Sequence, residues 1–186
     1  MPESVPEILE DLIRRLVPDV GGDTVVSSAA LAGGREAVIR QMERVLALKP
    51  LTIVEIGTQD GVMAALLSRF TECVITFDSQ RSQHLDDVLS LAGVQNVGAM
   101  HTSDRHRGMA LERMEFDLGF IDIGRNYGRL KEAFADVRRC GTVLFHGYGE
   151  HPQFGVTQFV DSLKQGVVER DPPFAWWRET KNGPQH

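Results

Sequence analysis

Near the start of the chain, apolar residues recur at helical spacing. Val5, Ile8, Leu9, Leu12, Ile13 and Leu16 fall on one 3.6-residue stripe, and Pro18 with Gly21-Gly22 ends it. From Asp23 to about Gly34 the residues are small and polar, without a period. A second helix is predicted from about Arg35 to Leu48, with Val38, Met42, Val45 and Leu46 on one face, and Lys49-Pro50 stops it. Two such helices are too small for a domain and read as a cap on the remainder of the chain.

After Pro50 the pattern changes. Continuous apolar runs appear at Leu51–Ile56, Cys73–Phe77, Asn96–Met100, Leu118–Ile121 and Thr142–Phe145. Helical stripes lie between them: Val62, Met63, Leu66, Leu67 and Phe70; Leu85, Val88 and Leu89; a short stretch at Met109–Met114; then Leu130, Phe134 and Val137. Short apolar strands alternating with helices define βαβ units and a parallel sheet covered on both faces. Right-handed crossovers limit this to an α/β fold: a three-layer, doubly wound, Rossmann-like and mostly parallel sheet. The domain reading is one unit over 1–186, with a helical cap at 1–48 and the core at 49–186. A last helix is expected to carry Val156, Phe159, Val160, Leu163 and Val167, broken by Asp171-Pro172-Pro173, with a final strand at Phe174–Trp177.

Composition narrows the function. The 186 residues carry 20 Lys+Arg against 26 Asp+Glu, a formal charge of −6, and 42% apolar content. At roughly 150 residues per domain this is one globular domain. The acidic balance argues against a nucleic-acid partner, since gripping a phosphate backbone needs clustered positive charge. No apolar run approaches the roughly 18 residues of a bilayer span, and the acidic N-terminus has no signal-peptide apolar core. A cytoplasmic protein without a membrane partner is the expectation. Cys73 and Cys140 are too few for a disulfide framework or a cysteine zinc site, and read as buried thiols.

In an open parallel sheet, ligands bind beyond the carboxyl ends of the strands. The first end reads Val54-Glu55-Ile56-Gly57-Thr58-Gln59-Asp60-Gly61. Gly57 permits a tight turn, and a helix begins at Gly61. A dinucleotide turn needs glycine at positions 59 and 62, where this chain has Gln59 and Val62; no Gly-Lys-Ser/Thr comes after it either. Glu55 would repel a polyphosphate and suits a cationic ligand; otherwise this is a plain strand-to-helix turn. At the second end, Asp78 can accept both hydroxyls of a ribose, or Asp78 and Ser79 cap a helix. At the third, Ser103 and Asp104 either contact an adenine amino group or cap the next helix. The fourth and fifth ends put Asp122 and His146 on adjacent strands at one rim. A histidine there can take a proton near neutral pH, or bond a backbone carbonyl.

These residues together resemble a family. Val54–Gly61, Asp78, Phe116–Tyr127 and Cys140–Tyr148 are similar to the class I S-adenosylmethionine-dependent methyltransferases, and in particular to small-molecule O-methyltransferases whose turn reads Glu-Ile-Gly-Thr-x-x-Gly. Their Phe-Ile-Asp-Gly-Asp-His-Ser-Tyr and Phe-His-Asp-Tyr segments correspond here to Phe120–Tyr127 and Phe145–Tyr148. The resemblance spans about Lys49 to Lys164. It implies S-adenosylmethionine as cofactor, with Glu55, Gly57, Thr58 and Gly61 in the cofactor turn. It further implies Asp78 and Ser79 at the ribose, Ser103 and Asp104 at the adenine, and Asp122 and His146 facing a small-molecule methyl acceptor. Some relatives bind a divalent metal through carboxylates at the fourth and fifth strand ends. Here Gly147 and Gly124-Arg125 replace acidic and histidine positions, so no metal is expected. The tail after the fifth strand has room for one strand rather than the usual antiparallel pair, so a shortened C-terminal sheet edge is expected.

The chemistry implied is methyl transfer to a hydroxyl, with His146 accepting the proton, Asp122 orienting it or the acceptor, and Tyr127 and Tyr148 either lining the pocket or packing over the sheet edge. The rival is a methyltransferase-like binding or scaffold protein that has lost catalysis; a nicotinamide-dependent oxidoreductase is disfavoured by Gln59 and Val62. Phe174, Trp176 and Trp177 are either a homodimer surface or pack on the last helix.

Overall fold

The structure, a computed structural model, describes residues 4–16, 34–124, 126–151 and 155–180. The apolar stripes form helices α1 (Val5–Leu16) and α2 (Arg35–Leu48). Then come β1 (Thr52–Ile56), α3 (Val62–Leu67), β2 (Cys73–Asp78), α4 (Leu85–Ala92), β3 (Val97–His101), α5 (Asp104–Leu111), β4 (Leu118–Ile121), α6 (Tyr127–Val137), β5 (Thr142–His146), α7 (Gly155–Ser162), β6 (Val167–Asp171) and β7 (Phe174–Arg178). The polar stretch before Gly34 lies mostly outside the described residues. No helix among the described residues is long and apolar enough to cross a membrane.

The sheet has seven strands in the order β3-β2-β1-β4-β5-β7-β6. Strands β1 to β5 are parallel, and β7 is antiparallel to both β5 and β6. The order reverses between β1 and β4, which makes their carboxyl ends the switch point where this architecture binds ligands. Successive strand residues point to opposite faces, and this alternation builds the two outer layers. Ile53, Val74, Leu118, Phe120, Leu144, Phe174 and Trp176 pack under α1, α2, α3 and α4. Val54, Ile56, Phe77, Ile121, Val143, Phe145 and Trp177 pack under α5, α6 and α7.

Four expectations are corrected. The C-terminal edge is complete rather than shortened, because β6 pairs with β7 as a hairpin turning at Pro172-Pro173. The last helix stops at Ser162, and Val167 opens β6 instead of extending it. Gly166 forces the change of direction: its φ is +86°, and a Cβ there would collide with Trp177 and the Arg178 carbonyl. Phe174, Trp176 and Trp177 are core residues of β7, so they supply no association surface. Cys73 and Cys140 are free thiols, and both are partly rather than fully buried.

Helix α2 is locked to this hairpin. The fully buried Gln41 accepts a hydrogen bond from Trp176 Nε1 and donates one to Asp171 Oδ2 at 2.7 Å. Arg40 and Arg44 pair with Asp171 and Glu169 around it. Exposed ion pairs contribute roughly 0–1 kcal/mol, whereas stranding a buried indole N–H costs about 1–3 kcal/mol. Gln41→Ala should therefore lower the unfolding free energy by about 2 kcal/mol or more, and Arg40→Ala by under about 1 kcal/mol. Urea denaturation of the two variants measures the difference.

Candidate active site

Alternation also sorts the chemistry. Glu55 follows Ile53, Thr76 and Asp78 follow Val74, Asp122 follows Phe120, and His146 follows Leu144, so all five sit on the face covered by α2 and α3. Register places Glu55 beside Thr76 on one side and Phe120 on the other. Asp122 extends the ladder beyond β4, its N–H donating to the Ile56 carbonyl at 2.8 Å.

The turn after β1 is set by Gly57. Its φ is +103°, and a methyl group at its α-carbon would overlap the Asp122 carbonyl. Only glycine meets both conditions at once. Thr58 is buried, with its hydroxyl 2.6 Å from that of Thr76. Gly61 starts α3 at φ +84°, tight against the Leu85 side chain. Between them, Gln59 adopts φ +47°, rare outside glycine. Its N–H donates to Asp78 Oδ2 and its side-chain amide to the Asp122 carbonyl, both at 3.2 Å. Gln59 thus ties the ends of β2 and β4 across β1. In the sequence, position 59 shows only that the turn lacks a dinucleotide glycine.

Glu55 is 0% exposed, and among the described residues neither carboxylate oxygen has a hydrogen-bond partner. Burial pushes its pKa up to about 8; the Thr76 hydroxyl beside it opposes the shift, and the negative charges of Asp122 and Asp78 add to it. Next along the rim, His146 Nδ1 lies 3.2 Å from Asp122 Oδ1, with side-chain exposures of only 4% and 11%. Burial opposes protonation of this imidazole. The Asp122 carboxylate, helped by Glu150, outweighs it and holds the His146 pKa above its ordinary value. With Nδ1 facing a carboxylate, the proton belongs on Nδ1 and the lone pair on Nε2. Nε2 is buried and has no partner among the described residues.

The other predicted residues are distributed along the same rim. Asp78, half-buried, also accepts the Gln80 N–H at 3.1 Å through Oδ1. Ser79 is exposed, its hydroxyl 3.5 Å from Arg129 Nη2. Ser103 caps α5, its hydroxyl accepting the His106 N–H at 3.4 Å. Burial alone would raise the pKa of Asp104, but Arg107 and Arg129 outweigh it and hold the carboxyl below its ordinary range. The Ser103 and Asp104 side chains are thus already engaged within the protein. Arg129, which the sequence did not single out, spans the ends of β2 and β3 because Asn126 caps α6 by accepting its N–H at 3.0 Å. Tyr127 and Tyr148 belong to the opposite layer: Tyr127 meets Phe159 edge to face and bonds Ser162, and Tyr148 donates to Asp161. Both take the packing role.

No family model matches this sequence, and no curated protein does. Solved structures do. The O-methyltransferase TomG from Streptomyces achromogenes, involved in tomaymycin synthesis and in complex with SAM, superposes with a TM-score of 0.62 at 18% identity, covering 97% of this chain and 91% of that one. The SAH-bound Podospora anserina methyltransferase PaMTH1 gives 0.60 at 17% identity, covering 97% and 89%. An rRNA methylase from Streptococcus thermophilus gives 0.60 at 14% identity, covering 78% and 97%. The chain therefore has the Rossmann-like fold of S-adenosylmethionine-dependent methyltransferases. That fold serves small-molecule and RNA enzymes alike, so it leaves the acceptor class open.

The buried carboxyl has a measurable consequence. Because Glu55 ionises near 8 in the folded protein and near 4.5 when unfolded, the folded state holds the extra proton between those values. Stability then falls as pH rises from about 4.5 through about 8. Glu55→Gln should flatten that slope and raise the thermal midpoint at pH 9 by several degrees relative to the parent. Thermal melts from pH 5 to pH 9 test it.

Proposed function

We propose that this protein transfers a methyl group from S-adenosylmethionine to a hydroxyl of a small-molecule acceptor. The observation that carries the reading is the Asp122–His146 pair next to Glu55 and Asp78 on one face, at the carboxyl ends of adjacent strands. The donor set fits the cofactor. Glu55 offers a carboxyl with two unpartnered oxygens to a cationic group, and Asp78 offers a half-buried carboxylate to ribose hydroxyls. When bound, the cofactor supplies an electrophilic methyl group.

The chain's own residues do the rest. The Gly57–Gly61 turn, Glu55, Asp78 and Ser79 bind and orient, with Ser103 and Asp104 at the base end through the α5 terminus. His146 accepts the hydroxyl proton at Nε2, while Asp122 holds Nδ1–H and stabilises the imidazolium that forms. Positioning and proton removal are the two contributions asked of the protein. The net charge of −6 supports a small acceptor over a nucleic acid.

Calorimetry should show S-adenosylmethionine binding; none at millimolar concentration defeats the reading. Asp78→Ala should weaken that binding about tenfold or more, by loss of charge-assisted hydrogen bonds. With an acceptor found by screening hydroxyl compounds, His146→Ala should lower kcat about a hundredfold or more with cofactor affinity little changed. Because His146 must be neutral to accept a proton, kcat should rise with pH to a plateau, with a midpoint above 6.5. Cofactor binding with no turnover across that screen would instead favour a scaffold.

A further inference from the structure

Among the described residues, Glu55 is a buried carboxyl left without compensation. It is completely buried, both oxygens lack partners, and it stands in a row of carboxyls with Asp78 and Asp122 on one face of the sheet. Among the described residues, the elements packed against it bring no neutralising charge. On β2 the neighbours are Thr76 and Asp78; beyond β4 it is Asp122; on β5 His146 is already paired with Asp122. The covering helix α3, Val-Met-Ala-Ala-Leu-Leu, has no charged residue. The α2 arginines Arg40 and Arg44 turn to Asp171 and Glu169 at the far sheet edge. A carboxylate so placed is unfavourable, and a neutral acid is favoured.

We propose that ligand uptake at this site is a proton exchange: Glu55 is a neutral acid in the free protein and surrenders its proton when a cationic ligand occupies the strand ends. The step balances. The O–H bond of the Glu55 carboxyl breaks, the electron pair stays on the carboxylate beside the arriving cation, and the proton leaves to the buffer. The ligand's positive charge replaces the proton as the compensating charge in a low-dielectric site. The pKa near 8 in the free protein agrees with this, since Glu55 is then mostly protonated at neutral pH. The inference rests on S-adenosylmethionine being the ligand. It goes further in making affinity depend on pH through a residue that performs no chemistry. Between pH 6 and pH 8 the dissociation constant should fall about tenfold per unit rise in pH, the slope for one proton released.

The test is calorimetry at pH 7 in phosphate and in Tris, whose ionisation enthalpies differ, so that the difference in heat counts protons. S-adenosylmethionine should release more than half a proton, adenosine, which carries no positive charge, should release none, and Glu55→Gln should abolish the release. As a readout that needs no variant, carboxyl carbon-13 NMR of the glutamate-labelled parent should show one resonance titrating near pH 8. That midpoint should drop below pH 6 when S-adenosylmethionine is added. Cofactor binding with the same heat in both buffers, or release on adenosine binding, overturns the proton exchange and leaves the methyltransferase reading standing. Absence of any cofactor binding overturns both.

Discussion

The close approach of Gly57 to the Asp122 carbonyl is the contact on which the site depends. It brings the ends of β1 and β4 together at the point where the strand order reverses. The Asp122 N–H bonds the Ile56 carbonyl from one side, and Gln59 holds the Asp122 carbonyl from the other. With its backbone fixed on both sides, Asp122 presents its carboxylate to His146. A side chain at position 57 would force these strand ends apart, and the histidine would lose the partner that sets its tautomer.

Around that contact the protein tolerates an unfavourable arrangement. Among the described residues the Glu55 carboxyl and His146 Nε2 find no hydrogen-bond partner, although buried polar groups are ordinarily satisfied. Each such group costs on the order of 1–3 kcal/mol. The apolar core beneath, from Ile53 and Leu118 to Trp176, and the Gln41–Trp176–Asp171 lock at the sheet edge offset that cost. A carboxyl and an imidazole nitrogen left unsatisfied at strand ends of a well-packed sheet mark a place shaped for something other than stability.

Particular residues show why some of this was readable in the chain and some was not. The parallel strands were legible because strands covered on both faces read as near-continuous apolar runs, as Leu118–Ile121 does and as Ile53–Ile56 does apart from Glu55. Strand β6 was not, because Val-Val-Glu-Arg-Asp lies at the open edge and has no apolar run. Its pairing depends on the turn at Pro172-Pro173 and the bend at Gly166, which no periodicity records. The aromatic cluster at Phe174–Trp177 gave no sign of its side chains alternating between two buried layers until β7 had a neighbour on each edge. Arg129 left no local signal, since its partners at Ser79 and Asp104 lie on other βα loops.

The amino-acid sequence by itself determined the sheet class, the strand ends and the identity of the groups gathered there. Those features arise from local rules: period, turn chemistry, and an acid placed two residues before a glycine. Only the tertiary structure decided the charge states. Glu55 is an ordinary glutamate in the chain and becomes a weak acid because α3 and the sheet exclude water from it. His146 becomes a stronger base because β4 sets Asp122 beside it. Desolvation and pairing are properties of an assembled interior, and no stretch of sequence contains them.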